Sequence, residues 1–155
     1  MLFVLFQLGS DRYALPASDV AEVLPMMSVK ALPGAPVGVA GLIDYHGRAV
    51  PAIDLSLLAL GRAAERLAST RFLIVTYQLA PGDERLLCLI AERATEMMTR
   101  EPEEFRPANV AVDATRYLGP VAHDAHGLIQ RVEVRALLTA EVCAALFPEP
   151  AATAT

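Results

Sequence analysis

The chain has 155 residues, of which 54% are apolar and 20% are charged, and its formal net charge is −5 at pH 7. This composition is typical of a folded domain with a sizeable core and excludes a disordered chain. Nucleic-acid-binding surfaces need clustered lysine and arginine. The acidic balance and the presence of a single lysine, Lys30, therefore argue against that class of function.

Cysteine usage and hydropathy indicate the compartment. Cys88 and Cys143 lie in apolar runs, which predicts buried free thiols in a reducing environment. The apolar N-terminal stretch lacks the basic residues and the cleavage site of a signal peptide, and no apolar run approaches the length of about 18 residues that a membrane span needs. We expect a cytoplasmic protein with no direct membrane insertion and no cofactor.

Short apolar runs separated by turn residues predict an all-β protein. Glycine and proline recur between the runs, where they favour tight turns and interrupt helices. One helix is predicted over 139–147, with Thr139 as its N-cap and Pro148 as its stop, and a disordered tail follows at 149–155. The predicted strands, in chain order, are 2–8, 13–15, 20–24, 37–42, 48–55, 71–77, 86–91, 92–98, 117–121, 127–129 and 132–134.

The order of these features repeats after about seventy to eighty residues, as expected for a duplicated unit with loop insertions. The repeat predicts one domain over 1–148, in which two barrel subdomains, about 1–60 and 70–138, are closed by the helix at 139–147. Closed barrels suit many short strands, because closure leaves no exposed strand edge.

The most informative local feature is the turn between the strands 37–42 and 48–55. It places Tyr45 and His46 at the tip of a hairpin, closed by Gly47. Exposed aromatic side chains at such positions are good anchors for a partner protein. The turn therefore predicts a docking surface.

Patterns of catalytic and metal-binding residues give little support to other functions. No serine has a base and an orienting group at a recognisable spacing, and no phosphate-binding loop is present, so we do not expect an enzyme. His123, Asp124 and His126 supply only part of a metal coordination shell. Turn histidines in an acidic loop are the more common interpretation of such a cluster.

A series of motifs resembles the CheW-type chemotaxis coupling proteins over residues 2 to about 147. The motifs are, in order, Tyr13-x-Leu15, Val20-x-Glu22-Val23, Leu32-Pro33-x-x-Pro36, Gly41-Leu42-Ile43 and Gly47-Arg48-x-Val50-Pro51-x-Ile53-Asp54-Leu55. The resemblance implies two intertwined SH3-like five-stranded β-barrels with a short C-terminal helix. It also implies an adaptor that binds the cytoplasmic tip of a chemoreceptor and the regulatory domain of a CheA-type histidine kinase, and that assembles with the kinase into rings at membrane receptor arrays.

The resemblance assigns a receptor-facing groove in the first barrel. Its residues are Val20, Glu22, Phe72 and the turn residues Asp44, Tyr45, His46 and Gly47. In the family this turn is usually Asn-Leu-Arg-Gly, so that His46 stands where the family has arginine. The altered turn is similar to that of the accessory coupling proteins of Wsp-type surface-sensing systems. Val20, Glu22 and Phe72 are equally compatible with ordinary strand or core positions.

The resemblance places a kinase-facing surface at Leu87, Cys88 and Leu89, although a simple core strand fits these three residues as well.

Two other classes of function remain open from the residues alone. A small-molecule-binding β-barrel would need a cavity lined by convergent polar groups. An oligonucleotide-binding barrel would need a basic and aromatic strand face, which the acidic balance disfavours.

Overall fold

The computed structural model describes residues 1–110, 112 and 115–148. The predicted tail 149–155 lies outside these residues. In chain order, the elements are β1 (Leu2–Leu8), β2 (Asp11–Pro16), β3 (Val20–Leu24), β4 (Val39–Tyr45), β5 (Arg48–Asp54), α1 (Leu55–Leu60), β6 (Arg71–Ala80), β7 (Asp83–Thr99), β8 (Leu118–Asp124), β9 (Gly127–Val132) and α2 (Ala140–Leu146). The protein is all-β, as predicted, with short 3-10 turns at Ala17–Asp19, Pro102–Glu104 and Val134–Ala136.

Five strands form the first barrel, called barrel one. Their order is β3, β6, the first half of β7, β5 and β4, and only the β5–β7 pair is parallel. Lys30 closes the barrel because its backbone N–H and C=O both pair with Leu42, at 2.8 Å each. The segment that follows β3 thereby pairs with β4, the strand at the other end of the sheet.

The second half of β7 continues into barrel two with β1, β2, β9 and β8. A matching backbone pair between Arg106 and Val121, again at 2.8 Å in both directions, closes it. The β1–β2 hairpin thus joins strands from the second half of the chain, while β3 to β5 join β6 and β7. Each of the segments 1–60 and 70–138 contributes strands to both barrels, which makes the two barrels intertwined, as the resemblance implied.

Alternation along β7 divides its side chains between two cores. Leu87 and Leu89 face the large inter-barrel core, which also buries Val4, Phe6 and Leu73. Cys88 and Ile90 face the interior of barrel one, together with Phe72, Ile74, Ile43 and Val50. The interior of barrel two is smaller and contains Phe3, Ala14, Phe105, Ala122 and Ile129. Because successive strand residues point to opposite faces, one strand supports both cores.

The predicted strands 86–91 and 92–98 are one continuous strand of 17 residues. Where it passes from one barrel to the other, the register with β1 shifts between Leu5 and Gln7, and Arg93 has a φ of +52°. This irregularity adds local twist, which lets a single strand follow two barrels of different orientation. The Ala94 N–H donates to the Ser69 carbonyl, at 3.0 Å, so the connector between β5 and β6 covers the crossover.

The C-terminal helix is confirmed, since the Val142 N–H donates to Oγ1 of Thr139 at 3.2 Å. Helix α1 was not predicted. The run 55–60 has a single polar residue, Ser56, which is buried, so its sequence shows no polar face of helical periodicity. Its termini are nevertheless well defined, because the Leu57 N–H donates to the Asp54 carboxylate and Gly61 ends it at φ +75°.

Within the described ranges, no helix has the length and apolar character needed to cross a membrane.

Gly41 permits the closure of barrel one, since a Cβ there would overlap the Lys30 carbonyl oxygen at a φ of +145°. We predict that Gly41→Ala lowers the free energy of unfolding by about 3 kcal/mol or more, combining backbone strain with the overlap. Gly82→Ala is the matched control, because Gly82 has a φ of +77° but open space around its Cβ position. It should cost only about 1 kcal/mol. Urea unfolding checks this, and equal losses would contradict a steric role for Gly41.

Barrel two is also held by an ion pair between β2 and the β8–β9 hairpin. Arg12 donates to both carboxylate oxygens of Asp124, at 2.7 and 3.0 Å, and the His126 backbone N–H donates to the same carboxylate at 2.7 Å. The Arg12 side-chain hydrogen bonds, followed by the His126 N–H, hold the pKa of Asp124 well below its usual value.

We predict that this ion pair makes stability dependent on pH. A carboxylate with a lowered folded-state pKa stabilises the fold above its unfolded pKa of about 4, and that stabilisation is lost as the pH falls below it. Asp124→Asn should therefore unfold at lower urea than the wild type at pH 7, with the difference shrinking towards pH 2. Asp11→Asn, an exposed change beside Arg12, is the control. A difference that does not vary with pH would refute the assignment.

Candidate docking site at the 44–47 turn

The turn at the tip of the β4–β5 hairpin has two central residues, both with positive φ. His46 has a φ of +52° and Gly47 of +83°, while Tyr45 and Arg48 pair across the base. This is the combination required by a type I′ turn, whose twist matches that of its strands. The Gly47 N–H donates to Oδ1 of Asp44 at 2.8 Å, which fixes the loop. The sequence pattern thus produces a rigid, projecting tip.

Tyr45 does not project from the tip but folds back onto β3. Its hydroxyl donates to Oε1 of Glu22 at 2.6 Å, and its ring packs against the interior of barrel one. This hydrogen bond to Glu22 raises the pKa of Tyr45 above its usual value, so the phenol stays protonated as a donor. The Tyr45 ring also contacts the His46 ring edge-on, with centroids 4.5 Å apart.

His46 completes a three-residue cluster with Glu22 and Tyr45. Its Nε2 lies 3.8 Å from the same Glu22 oxygen that accepts the tyrosine hydroxyl. The His46 side chain is 75% exposed and that of Glu22 is 41% exposed. The structure therefore brings Glu22, Tyr45 and His46 together on an accessible surface.

A shallow cleft of about 270 Å³ lies on the β4–β5 hairpin beside this cluster. Three charged residues, Lys30, Asp44 and Arg48, are among those that line it. The sequence reasoning did not include Lys30 and Arg48 among the site residues. The position of Arg48, next to Gly47, could have indicated it, whereas Lys30 reaches the hairpin only through the pairing that closes the barrel.

The resemblance placed Val20 in the same groove as Glu22, but the two side chains lie on different faces of β3. A bulge at Ala21 shifts the register, so that Val20 pairs with Val75 and Glu22 pairs with Ile74. Val75 belongs to the inter-barrel core and Ile74 to the interior of barrel one. Since directly paired residues share a face, Val20 packs half-buried on the inter-barrel side, away from Glu22.

Phe72 was expected to border the receptor groove, but it is a core residue. Its side chain is 1% exposed inside barrel one, and its strand is paired with β3 on one side and β7 on the other. No partner can contact this ring without opening the barrel.

The expected kinase surface at Leu87, Cys88 and Leu89 is wrong for the same reason. All three side chains are fully buried, β6 pairs with the strand at each of them, and β5 pairs with its other edge at Cys88 and Leu89. None of the three side chains can contact another protein, and the backbone at Cys88 and Leu89 already has a strand on each side. Burial raises the pKa of the Cys88 thiol to about 12, so this thiol stays protonated.

No metal centre is found within residues 1–110, 112 and 115–148, where no three His, Cys, Asp or Glu side chains lie close enough to hold an ion. In the His123–Asp124–His126 segment, the carboxylate of Asp124 is already engaged by Arg12 and by the backbone of the turn.

Comparisons with known proteins identify the family. Residues 2–142 match the CheW-like domain. The chain is 23% identical over 141 residues to "Chemotaxis protein CheW" of Klebsiella aerogenes, covering 90% of this chain and 82% of that protein. It is 24% identical over 105 residues to the protein of the same name from Helicobacter pylori, covering 68% of this chain and 61% of the relative.

A solved structure shows the same fold. The crystal structure of the scaffolding protein TtCheW from Thermoanaerobacter tengcongensis superposes with a TM-score of 0.78 and 22% identity, covering 91% of this chain and 89% of that one. The family match covers nearly all of the described residues and agrees with the two intertwined barrels. The chain belongs to the CheW-like domain family, as the motifs of its first half indicated.

Proposed function

We propose that this protein is a non-catalytic adaptor that couples a chemoreceptor to a CheA-type histidine kinase on the cytoplasmic side of bacterial receptor arrays. The observation that carries this proposal is the rigid 44–47 turn, which is joined to β3 by the 2.6 Å hydrogen bond from Tyr45 to Glu22 in a chain of the CheW-like family. Side chains that are fixed before the partner arrives lose less conformational entropy on docking, which favours binding.

The receptor surface consists of Glu22, Tyr45 and His46, with Asp44 and Gly47 setting the shape of the turn. Its chemistry suits a helix of the receptor tip, because a half-buried aromatic ring offers an apolar anchor beside polar groups. Val20 contributes by holding β3 on the inter-barrel core, so its effect on docking is indirect.

The kinase surface lies on barrel two, since residues 87–89 are enclosed. Among large apolar side chains on the described strands, Leu128 is the most exposed, at 64%, and it stands at the start of β9, beside the tip of the β8–β9 hairpin. This position is on the other barrel from the receptor surface. Two partners can therefore be held at the same time.

Rigid coupling follows from the shared strand. A displacement at barrel one is passed to barrel two because packed cores do not absorb it. In arrays with many copies, each contact needs only micromolar affinity, about −8 kcal/mol. Multivalency supplies the rest of the binding strength that holds the array together. Ring assembly with the kinase is consistent with one adaptor binding through two surfaces.

The interior of each barrel argues against the alternative of a small-molecule-binding barrel. Phe72, Ile74 and Cys88 fill barrel one, and Phe3 and Ile129 fill barrel two. A ligand pocket would require space and convergent polar groups at these positions.

We predict that Tyr45→Ala weakens binding of a receptor-tip fragment at least tenfold, because it removes the anchor and the bond that positions Glu22. The same variant should bind the regulatory domain of the kinase within twofold of wild type. Leu128→Asp should show the opposite pattern. Isothermal titration calorimetry with each fragment measures all four affinities.

Circular dichroism should show that both variants are folded. Equal loss of both partners in either variant, or loss of neither, would contradict two separate surfaces. Val20→Asp should weaken receptor binding only together with a fall in stability, because Val20 packs on the inter-barrel core.

A further inference from the structure

We propose that docking at the 44–47 turn takes up one proton, which His46 binds in order to neutralise the carboxylate of Glu22. The inference rests on the proposed receptor surface and adds a regulation to it. Its consequence is that receptor affinity rises as the pH falls through the range in which histidine becomes charged.

The carboxylate of Glu22 has little compensation in the free protein. One of its oxygens accepts the Tyr45 hydroxyl, which is a neutral donor. Among the residues that the structure describes, His46 is the one basic side chain placed within 4 Å of this carboxylate, at 3.8 Å. Water solvates the remainder, since the Glu22 side chain is 41% exposed.

The other charges around the turn are arranged differently. Asp44 shares the cleft on the hairpin with two permanent cations, Lys30 from the segment after β3 and Arg48 from β5. Tyr45 is neutral at these pH values, and its hydrogen bond to Glu22 raises its pKa further above them. Asp44 is thus accompanied by cations that keep their charge. Glu22 differs, because the basic group nearest to it is a histidine, which can be neutral or charged.

A partner that covers Tyr45 and His46 removes water from Glu22. A carboxylate that loses water and keeps one neutral hydrogen bond is strongly disfavoured. A protonated imidazole beside it turns the pair into an ion pair, which offsets that cost. Histidine side chains change charge between about pH 5 and 8, so docking selects the protonated form within this range.

The geometry supports a pre-positioned pair. The edge-on contact between the rings of Tyr45 and His46, with centroids 4.5 Å apart, holds the imidazole near Glu22. The turn itself, with His46 at φ +52°, limits where the side chain can point. Tyr45 is thus a positioning residue for both members of the pair.

Proton linkage fixes the direction in which receptor affinity changes with pH. If the complex holds the proton more tightly than the free protein does, affinity increases as the pH falls and is lost as it rises. One proton permits at most a tenfold change per pH unit. We expect the affinity of the full chain for a soluble receptor-tip fragment to rise about three- to tenfold from pH 8 to pH 6.

The experiment is calorimetric titration of the full chain with that fragment between pH 5.8 and 8.0, in buffers of different ionisation enthalpy. The buffer dependence of the heat should show uptake of up to one proton near pH 7. Binding of the kinase regulatory domain, measured in parallel, should not vary with His46 substitutions.

Three variants separate the roles of the two side chains. His46→Arg should bind tightly without pH dependence, because its charge is permanent. His46→Asn should bind weakly at every pH, and asparagine tolerates the positive φ of this position. Glu22→Gln should also lose the pH dependence while binding at pH 8 at least as well as the wild type, since it buries no charge.

Measurable receptor binding by the wild type with a flat pH profile would overturn the proton coupling alone. Retention of the pH dependence in His46→Asn or in Glu22→Gln would overturn it as well. Absence of receptor binding at every pH, with kinase binding intact, would overturn the proposed receptor surface and the coupling together.

Discussion

The strand β7 is the constraint on which the rest of the structure depends. Its first half is hydrogen-bonded to β6 and β5, and its second half to β1, so neither barrel is complete without it. Its alternating side chains fill the interior of barrel one and the core between the barrels. Because one covalent segment serves both barrels and both cores, the barrels cannot separate without breaking the strand pairing of each.

Irregularities in strand pairing decide which faces carry function. The bulge at Ala21 turns Val20 towards the inter-barrel core and leaves Glu22 on the barrel-one side, where Tyr45 reaches it. A second register shift, near Arg93, lets β7 leave one barrel and enter the other. A change of one residue in register moves every later side chain to the opposite face, so small insertions have large consequences for a docking surface.

The candidate site shows how a rigid scaffold presents a few polar groups. The turn is set by backbone geometry at His46 and Gly47, and its contact with β3 is set by the hydrogen bond between Tyr45 and Glu22. Both parts rest on a barrel that is closed by Lys30 and Leu42. The chemistry of the surface is therefore held in place by pairings far apart in the sequence. This arrangement suits an adaptor, which transmits displacement between its partners and catalyses no reaction on either of them.

The sequence by itself determined the local chemistry: the all-β class, the turn at 44–47 closed by Gly47, the Thr139 cap and the order of motifs that identifies the family. The tertiary structure alone decided which strands share a barrel, and it buried Phe72 and the segment 87–89. The continuous apolar runs around these residues could have indicated strands covered on both faces, as in buried parallel pairs. Burial itself depends on what covers each face, and local pattern does not specify the covering element.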